Sequence, residues 1–238
     1  QTKCHLSIAD LKTDRNDVTN KLSSLSDSSF AATEVTDGEF LVYRSEFAEQ
    51  AYGSADSFLS DIIEIREGHH QLSFDSGDMQ VAAVIDGNLS RLKEPMLGVG
   101  WIPVNSGGLE FHAGDRFIVR KTGDSLVGAV VPTKGVAVAH QNVYVCKPKS
   151  GINLSAKAIC AIVSSSIYTR LYQDGPLGQK GRTMAQLRII GLKKLPIPPI
   201  AFLVNRSGTL EKAYDSGEEA VDAEVEKLFR EAFPMANL

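Results

Sequence analysis

The stretch from Gly181 to Ile200 constrains this chain most: Gly-Arg-Thr-Met-Ala-Gln-Leu-Arg-Ile-Ile-Gly-Leu-Lys-Lys-Leu-Pro-Ile-Pro-Pro-Ile. It begins basic and glycine-bearing, turns apolar and ends in three prolines. Pro196, Pro198 and Pro199 have a fixed φ and no backbone N–H, so neither a helix interior nor a central strand can hold them. Leu195, Ile197 and Ile200 are interspersed with these prolines. The pattern predicts a short extended edge segment that presses aliphatic side chains into a core and closes a domain.

With 238 residues, 43% of them hydrophobic, the chain can bury the core of one large domain or two small ones. No run of 18 apolar residues occurs, so no membrane span is expected. The N-terminus carries no charged-then-apolar leader, and residue 1 is Gln rather than Met. The chain therefore reads as a non-secreted piece of something longer. Cys4, Cys146 and Cys160 form no C-x-x-C pair, which argues against a metal site or a disulfide framework. Reduced core thiols and a cytoplasmic location are the simplest expectation.

The net charge of −4 hides a strong asymmetry. Residues 1–110 hold 8 Lys+Arg against 18 Asp+Glu, residues 111–206 hold 14 against 3, and residues 207–238 hold 3 against 8. A basic central block between acidic flanks is the footprint of a nucleic-acid face, or else it pairs with those flanks inside one fold.

Local patterns place elements along the chain. Leu11, Val18, Leu22 and Leu25 fall at helical spacing and residues 39–43 read as a strand, within an acidic, Ser-rich opening of unassigned role. Ser57 precedes a one-to-two-turn amphipathic helix over Phe58, Leu59, Ile62 and Ile63, with Asp61 near its start. Asp86-Gly87-Asn88 is a turn signal after the apolar run from Gln80. His69 and His70 are adjacent and read as turn residues rather than a metal pair. Residues 109–147 read as short strands at 117–119, 126–131, 136–139 and 142–146. Arg120 and Lys121 end one strand, and Lys147 and Lys149 end another. If these strands are neighbours, four cations crowd one edge, where an anion would relieve them.

Ser155 can cap a helix whose apolar face is Ile159, Ile162, Val163, Ile167 and Leu171, stopped by Gly175-Pro176. The loop from Asp174 to Thr183 combines glycines with Lys180 and Arg182, which permits close approach to phosphates. After Ile200, Ser216-x-x-Glu219 forms a capping-box pattern ahead of an apolar stripe at Val221, Val225, Leu228, Phe229 and Phe233. That helix either packs on its own domain or docks against a partner. No dinucleotide fingerprint, P-loop, nucleophile elbow or zinc-protease motif occurs. No catalytic residue is assigned.

Several motifs, in order, resemble the target-recognition domains of Type I restriction–modification specificity subunits and the related C-terminal specificity domains of N6-adenine DNA methyltransferases. They are Leu59 to Gly68 (a Leu-x-Asp-Ile-x-Glu-Ile element with its turn), Gly114-Asp-Arg-Phe-Ile-Val-Arg-Lys-Thr-Gly123, Val143-Tyr-Val-Cys-Lys-Pro-Lys149, the helix at Ala161-Ile-Val-Ser-Ser-Ser-Ile-Tyr168, and Leu192-Lys-Lys-Leu-Pro-Ile-Pro-Pro-Ile200. Ser164 stands where Asn is common in the family. Pro198-Pro199 is flanked by Ile rather than by the acid or amide and aromatic of an adenine methyltransferase motif, which cannot hold a flipped adenine.

The resemblance implies an α/β (α+β) fold, with a curved, mostly antiparallel sheet, packed helices and a C-terminal docking helix. It divides the chain into an acidic N-terminal segment (1–53), a DNA target-recognition domain (54–206) and an acidic linker with the docking helix (207–238). It implies a non-catalytic module that binds double-stranded DNA and positions a separate methyltransferase domain or subunit, where S-adenosylmethionine would bind. Arg120, Lys121, Lys134, Lys147, Lys180 and Arg182 are the expected phosphate contacts. Gln141, Asn142, Gln179 and Arg188 are the expected base readers. The alternative is a protein–protein interaction module of a larger nucleic-acid-processing complex, with DNA held by a partner.

Overall fold

The computed structural model describes residues 32–33, 41–69, 79–85, 88–104, 107–132, 135–178 and 185–236. In chain order the elements are β1 (Ala32–Thr33), β2 (Leu41–Val42), α1 (Glu46–Gly53), α2 (Leu59–Ile62), β3 (Ile63–Glu67), β4 (Met79–Ile85), β5 (Leu97–Pro103), a 3-10 turn (Leu109–His112), β6 (Phe117–Arg120), β7 (Gly128–Val130), β8 (Ala137–Ala139), β9 (Val143–Pro148), α3 (Ala156–Val163), α4 (Ser166–Asp174), α5 (Ile189–Lys193), α6 (Ile200–Ser216) and α7 (Glu218–Ala232). The fold is mixed α/β, and its four-stranded sheet is wholly antiparallel in the order β3-β9-β6-β7.

That sheet is buried on both faces, and the period-2 alternation of its strands decides which residue goes where. Phe117, Val119, Tyr144, Cys146, Ile63 and Ile65 point into a core shared with the helices. Ile118, Ala129, Val143 and Val145 point the other way, into a second core with Ile85, Ala137, Ala139 and Phe111. The second core is roofed by a three-stranded sheet, β5-β4-β8, in which β4 pairs antiparallel with β5 and parallel with β8. The layers are helices, four-stranded sheet, three-stranded sheet. Continuous apolar runs such as Phe117-Ile-Val119 follow from burial on both sides.

The proline segment behaves as its chemistry dictates. Leu195 and Ile197 are fully buried, and Pro196 forms an isolated antiparallel bridge with Phe58. The Leu59 N–H donates to Leu195 O at 2.8 Å, and the Ile197 N–H donates to Ser57 O at 2.9 Å. Ile200 leaves the extended segment and starts α6, a 17-residue helix ahead of the one legible from its apolar stripe.

Three further expectations are corrected. The helix after Ser155 is two helices, because Ser165 Oγ accepts the Tyr168 N–H at 3.4 Å and starts α4 afresh. The Ser216–Glu219 capping box does not form: Gly217, at φ 104, is the N-cap of α7, and Ser216 Oγ donates back to Lys212 O. The antiparallel register, Arg120 opposite Val143 and Phe117 opposite Cys146, puts Lys121 and Lys147 at opposite ends of the pair. They are separated by roughly 15 Å at about 3.3 Å per residue, so the four cations do not share an edge. The expected helix over Leu11–Leu25, and His70, lie outside the described residues.

The stripe of α7 faces the core of its own chain. Phe229 meets Phe47 at 5.4 Å, Phe233 at 4.6 Å and Tyr168 edge-on at 6.1 Å. Residues 43–51 and 203–236 contribute to the same core as the segment between them. Cys146 and Cys160 are buried free thiols, both pushed up by burial, Cys160 to about 12.

Truncating Phe229 should open a cavity among three rings, so Phe229→Ala is expected to cost about 3–5 kcal/mol in urea unfolding. Gly208 lies exposed within α6, with no atom within 4 Å of an added Cβ. Gly208→Ala is expected to stabilise by about 0.5–1 kcal/mol in the same assay.

Candidate functional site

One end of the four-stranded sheet gathers several residues singled out by charge. After β6 the chain turns at Lys121-Thr122-Gly123 and runs beside Ala185-Gln186-Leu187. Thr122 bridges Gln186, the Gly123 N–H donates to Ala185 O at 2.8 Å, and the Leu187 N–H donates to Lys121 O at 2.8 Å. Gly123 sits at φ 102, a conformation that favours glycine, with the Arg120 guanidinium folded over it. Tyr144 O–H donates to Leu187 O at 2.8 Å, and the Arg188 N–H donates to Tyr172 Oη at 2.9 Å. Burial pushes the Tyr144 phenol up to about 12, so both phenols stay neutral and work as struts.

These contacts frame an open cleft of about 470 Å³ lined by Glu67, Lys121, Tyr144 and residues 186–189. Lys121 Nζ donates to Glu67 Oε1 at 2.8 Å and stands 5.6 Å from the Tyr144 ring centroid. Arg188, the N-cap residue of α5, is exposed on the opposite lip. Lys193 and Lys194 follow at the far end of α5, with Ile190 exposed between.

The structure therefore brings Lys121, Arg188 and the 141–142 turn towards one end of the sheet. The Lys121 N–H donates to Asn142 O at 2.9 Å; Asn142 is exposed and Gln141 half-buried. Arg120 folds back, its Nε donating to Thr122 O at 2.9 Å. Lys147 lies at the other end, where its Nζ donates to Ala113 O at 2.9 Å beside Phe111. Lys134, Gln179, Lys180 and Arg182 lie outside the described residues.

Part of the basic block is neutralised by the acidic flanks: Lys121 by Glu67, Lys157 by Asp215, and Arg206 by Glu231. Among the described residues, Lys149, Arg188, Lys193 and Lys194 have no carboxylate within ion-pair distance. No group of three or more His, Cys, Asp or Glu there could hold a metal, and no helix there is long and apolar enough to cross a membrane.

A second cleft, about 330 Å³, opens on the other face of β3, between its end and the 3-10 turn. Apart from His69, no residue pattern in the chain points to it. Arg66, His69, Gly107, Gly108, Phe111 and His112 line it. His112 is only 5% exposed, and its Nδ1 accepts the Ala139 N–H at 3.2 Å.

No protein-family model matches the chain, and no curated protein matches it significantly. A solved structure reported for the basis of complex assembly and conformational transition of the type I R-M system is similar over 75% of this chain and 44% of that one. The identity is 13% and the TM-score 0.37. The matched region thus spans under half of that chain, and a likeness at this level transfers neither fold nor function.

His112 gives the site a pH signature. Burial, then the nearby His69 and Arg116, lower its pKa from 6.5 to about 4, against a smaller opposing pull from Glu110. Between those values the unfolded chain takes up a proton that the folded chain refuses, so stability falls as pH drops from about 6.5 and the loss is complete below about 4. Between pH 7 and pH 4.5 the difference is worth about 2–3 kcal/mol. Urea unfolding should show that much of the acid sensitivity disappearing in His112→Asn, whose amide oxygen still accepts from Ala139.

Proposed function

We propose that this chain is a sequence-specific DNA recognition module of a restriction–modification or DNA adenine methylation system. It does no chemistry itself. It positions a separate methyltransferase domain or subunit, which would bind S-adenosylmethionine and flip the target adenine. The observation that carries the proposal is that Lys121, from the end of β6, and Arg188, the N-cap of α5, line one open cleft, with Lys193 and Lys194 following at the far end of that short helix. Sequence-distant cations held on a rigid sheet end, with Arg188 at a helix N-terminus and an amide side chain at Gln186 beside it, suit a phosphate track next to a base-reading edge. Three of these cations have no carboxylate within ion-pair distance among the described residues. Lys121 already balances Glu67, and a phosphate arriving there exchanges one anion for another. The motif order from Leu59 to Ile200 supports the same class.

Arg188, Gln186 and Asn142 are assigned to base edges, and Lys121, Lys193 and Lys194 to phosphates. Arg120 steadies the turn. The phosphate roles of Lys134, Lys180 and Arg182 and the base-reading role of Gln179 belong to the same proposal. Lys147 is set apart, because its ammonium is tied to backbone carbonyls at the other end of the sheet. A second reading, a protein–protein interaction module, is favoured by the edge strand β5, where Val99 is 71% exposed, and by Met96 just before it, 79% exposed.

Binding to a mixed-sequence duplex across a salt series tests the proposal. Log affinity is expected to fall with log salt at a slope of about −4 or steeper, each phosphate contact supplying about −0.9. The Arg188→Ala/Lys193→Ala/Lys194→Ala variant should lose about 2 from that slope, from its two phosphate-contacting lysines. A slope unchanged by the variant removes this cleft from the interface, and absence of binding at low salt favours the protein-docking reading.

A further inference from the structure

We propose that the cleft between β3 and the 3-10 turn is a phosphate-binding site, with the His112 Nε2–H and the Arg66 guanidinium as its donors. It lies across the sheet from the Lys121 cleft and does not depend on the DNA reading of that cleft.

The first observation is an unused donor, open to the cleft, on an otherwise buried side chain. Nδ1 of His112 accepts a backbone hydrogen bond, so in the neutral imidazole the proton sits on Nε2. Nε2 has no hydrogen-bond partner among the described residues, although the residue is 5% exposed and its ring lines the cleft. A ligand oxygen entering the cleft satisfies this donor.

The second observation is charge. β3 alternation puts Arg66 on this face, opposite Val145. Its guanidinium stacks 4.3 Å from the centre of the Phe111 ring, which fixes its plane beside the cleft. Its ion pairs with Glu64 and Glu110 are long, 3.9 and 4.0 Å, and it makes no hydrogen bond among the described residues. Arg116, close enough to His112 to act on its imidazole, is 1% exposed, with no carboxylate partner among the described residues and Nη2 unbonded. A buried guanidinium without a counter-ion raises the local positive potential and favours an anion nearby. Glu67 also borders this cleft, but register puts its side chain on the helical face, where Lys121 holds it. Glu64 and Glu110, the two carboxylates within 4.0 Å of Arg66, are the ones that oppose an anion here.

The third observation is room for backbone approach. Gly107 and Gly108 border the cleft, and a Cβ added to either meets nothing within 4 Å. A tetrahedral phosphate offers oxygens in enough directions to meet donors from two different elements at once. The volume exceeds that of phosphate alone, leaving space for an ester substituent. The phosphate can belong to a free compound or to a nucleic-acid backbone, and the chemistry of capture is the same.

The test is a titration of the full chain, labelled with nitrogen-15, with inorganic phosphate at neutral pH. Saturable shifts are expected at His112 Nε2 and at the Gly107 and Gly108 amides. Arg66→Met keeps the stack on Phe111, and His112→Asn keeps the acceptor for Ala139. Each should weaken binding about ten- to a hundredfold, while Glu110→Gln should tighten it. A duplex that displaces phosphate and binds Arg66→Met less well identifies a nucleic-acid backbone as the source. A duplex without effect on a site that still binds phosphate identifies a free phosphate compound. The proposal is overturned if no saturable shift occurs at His112, or if Arg66→Met, an exposed substitution that leaves the core intact, binds phosphate as the unaltered chain does. A failed salt-slope test at the Lys121 cleft leaves these outcomes unaffected.

Discussion

Everything in this structure leans on strand β9 being buried from both sides. It hydrogen-bonds to β3 on one edge and β6 on the other. Its side chains alternate Val143, Tyr144, Val145, Cys146 between two separate cores. One core is closed by helices contributed from both ends of the described chain, the other by the small β5-β4-β8 sheet. Tyr144 belongs to the helical core yet reaches the Lys121 cleft with its hydroxyl. Val145 belongs to the other core and lies opposite Arg66 of the second cleft. Both candidate sites are therefore held by the least deformable part of the fold, where close packing resists displacement.

The same register explains how charge is distributed. Antiparallel pairing sends the cationic end of β6 away from the cationic end of β9, so the basic block divides into separate positions rather than one patch. At the α5 end, three cations have no acidic partner among the described residues. At the other end, Lys147 is spent on carbonyls and Arg116 is buried. The acidic flanks neutralise selected cations, Lys121 and Lys157 among them, in contacts partly exposed to water. Such pairs contribute little to stability, and an incoming phosphate can take over from the carboxylate at small cost.

Much of the sheet was legible because its residues signal burial directly. Phe117-Ile-Val119 and Val143-Tyr-Val-Cys146 are apolar on both alternating sets, bounded by turn residues, and both are strands. The proline segment was legible from backbone chemistry alone. Helix α6 was not: its buried residues, Leu203, Leu210 and Ala213, are sparse, and Gly208 interrupts the pattern. The break between α3 and α4 was hidden because Ser164-Ser165 sits inside a continuous apolar periodicity. Of the site residues, Lys121 and Arg188 were visible as charge after an apolar run. Glu67 as the partner of Lys121, 54 positions away, was not, since ion pairs across a sheet leave no local pattern. His112 carried no signal because its role depends on Ala139, 27 positions away, and on Arg66, which only the tertiary fold brings near.

The central claim is that the α5 end of the sheet meets DNA. Amide hydrogen exchange, compared with and without a bound duplex, tests it most directly, because it reports which backbone is covered without altering any residue. Added protection is expected over residues 120–123, 141–142 and 185–194, with β5 unchanged. Protection confined to β5, or none at the α5 end under conditions where the duplex is bound, would contradict it.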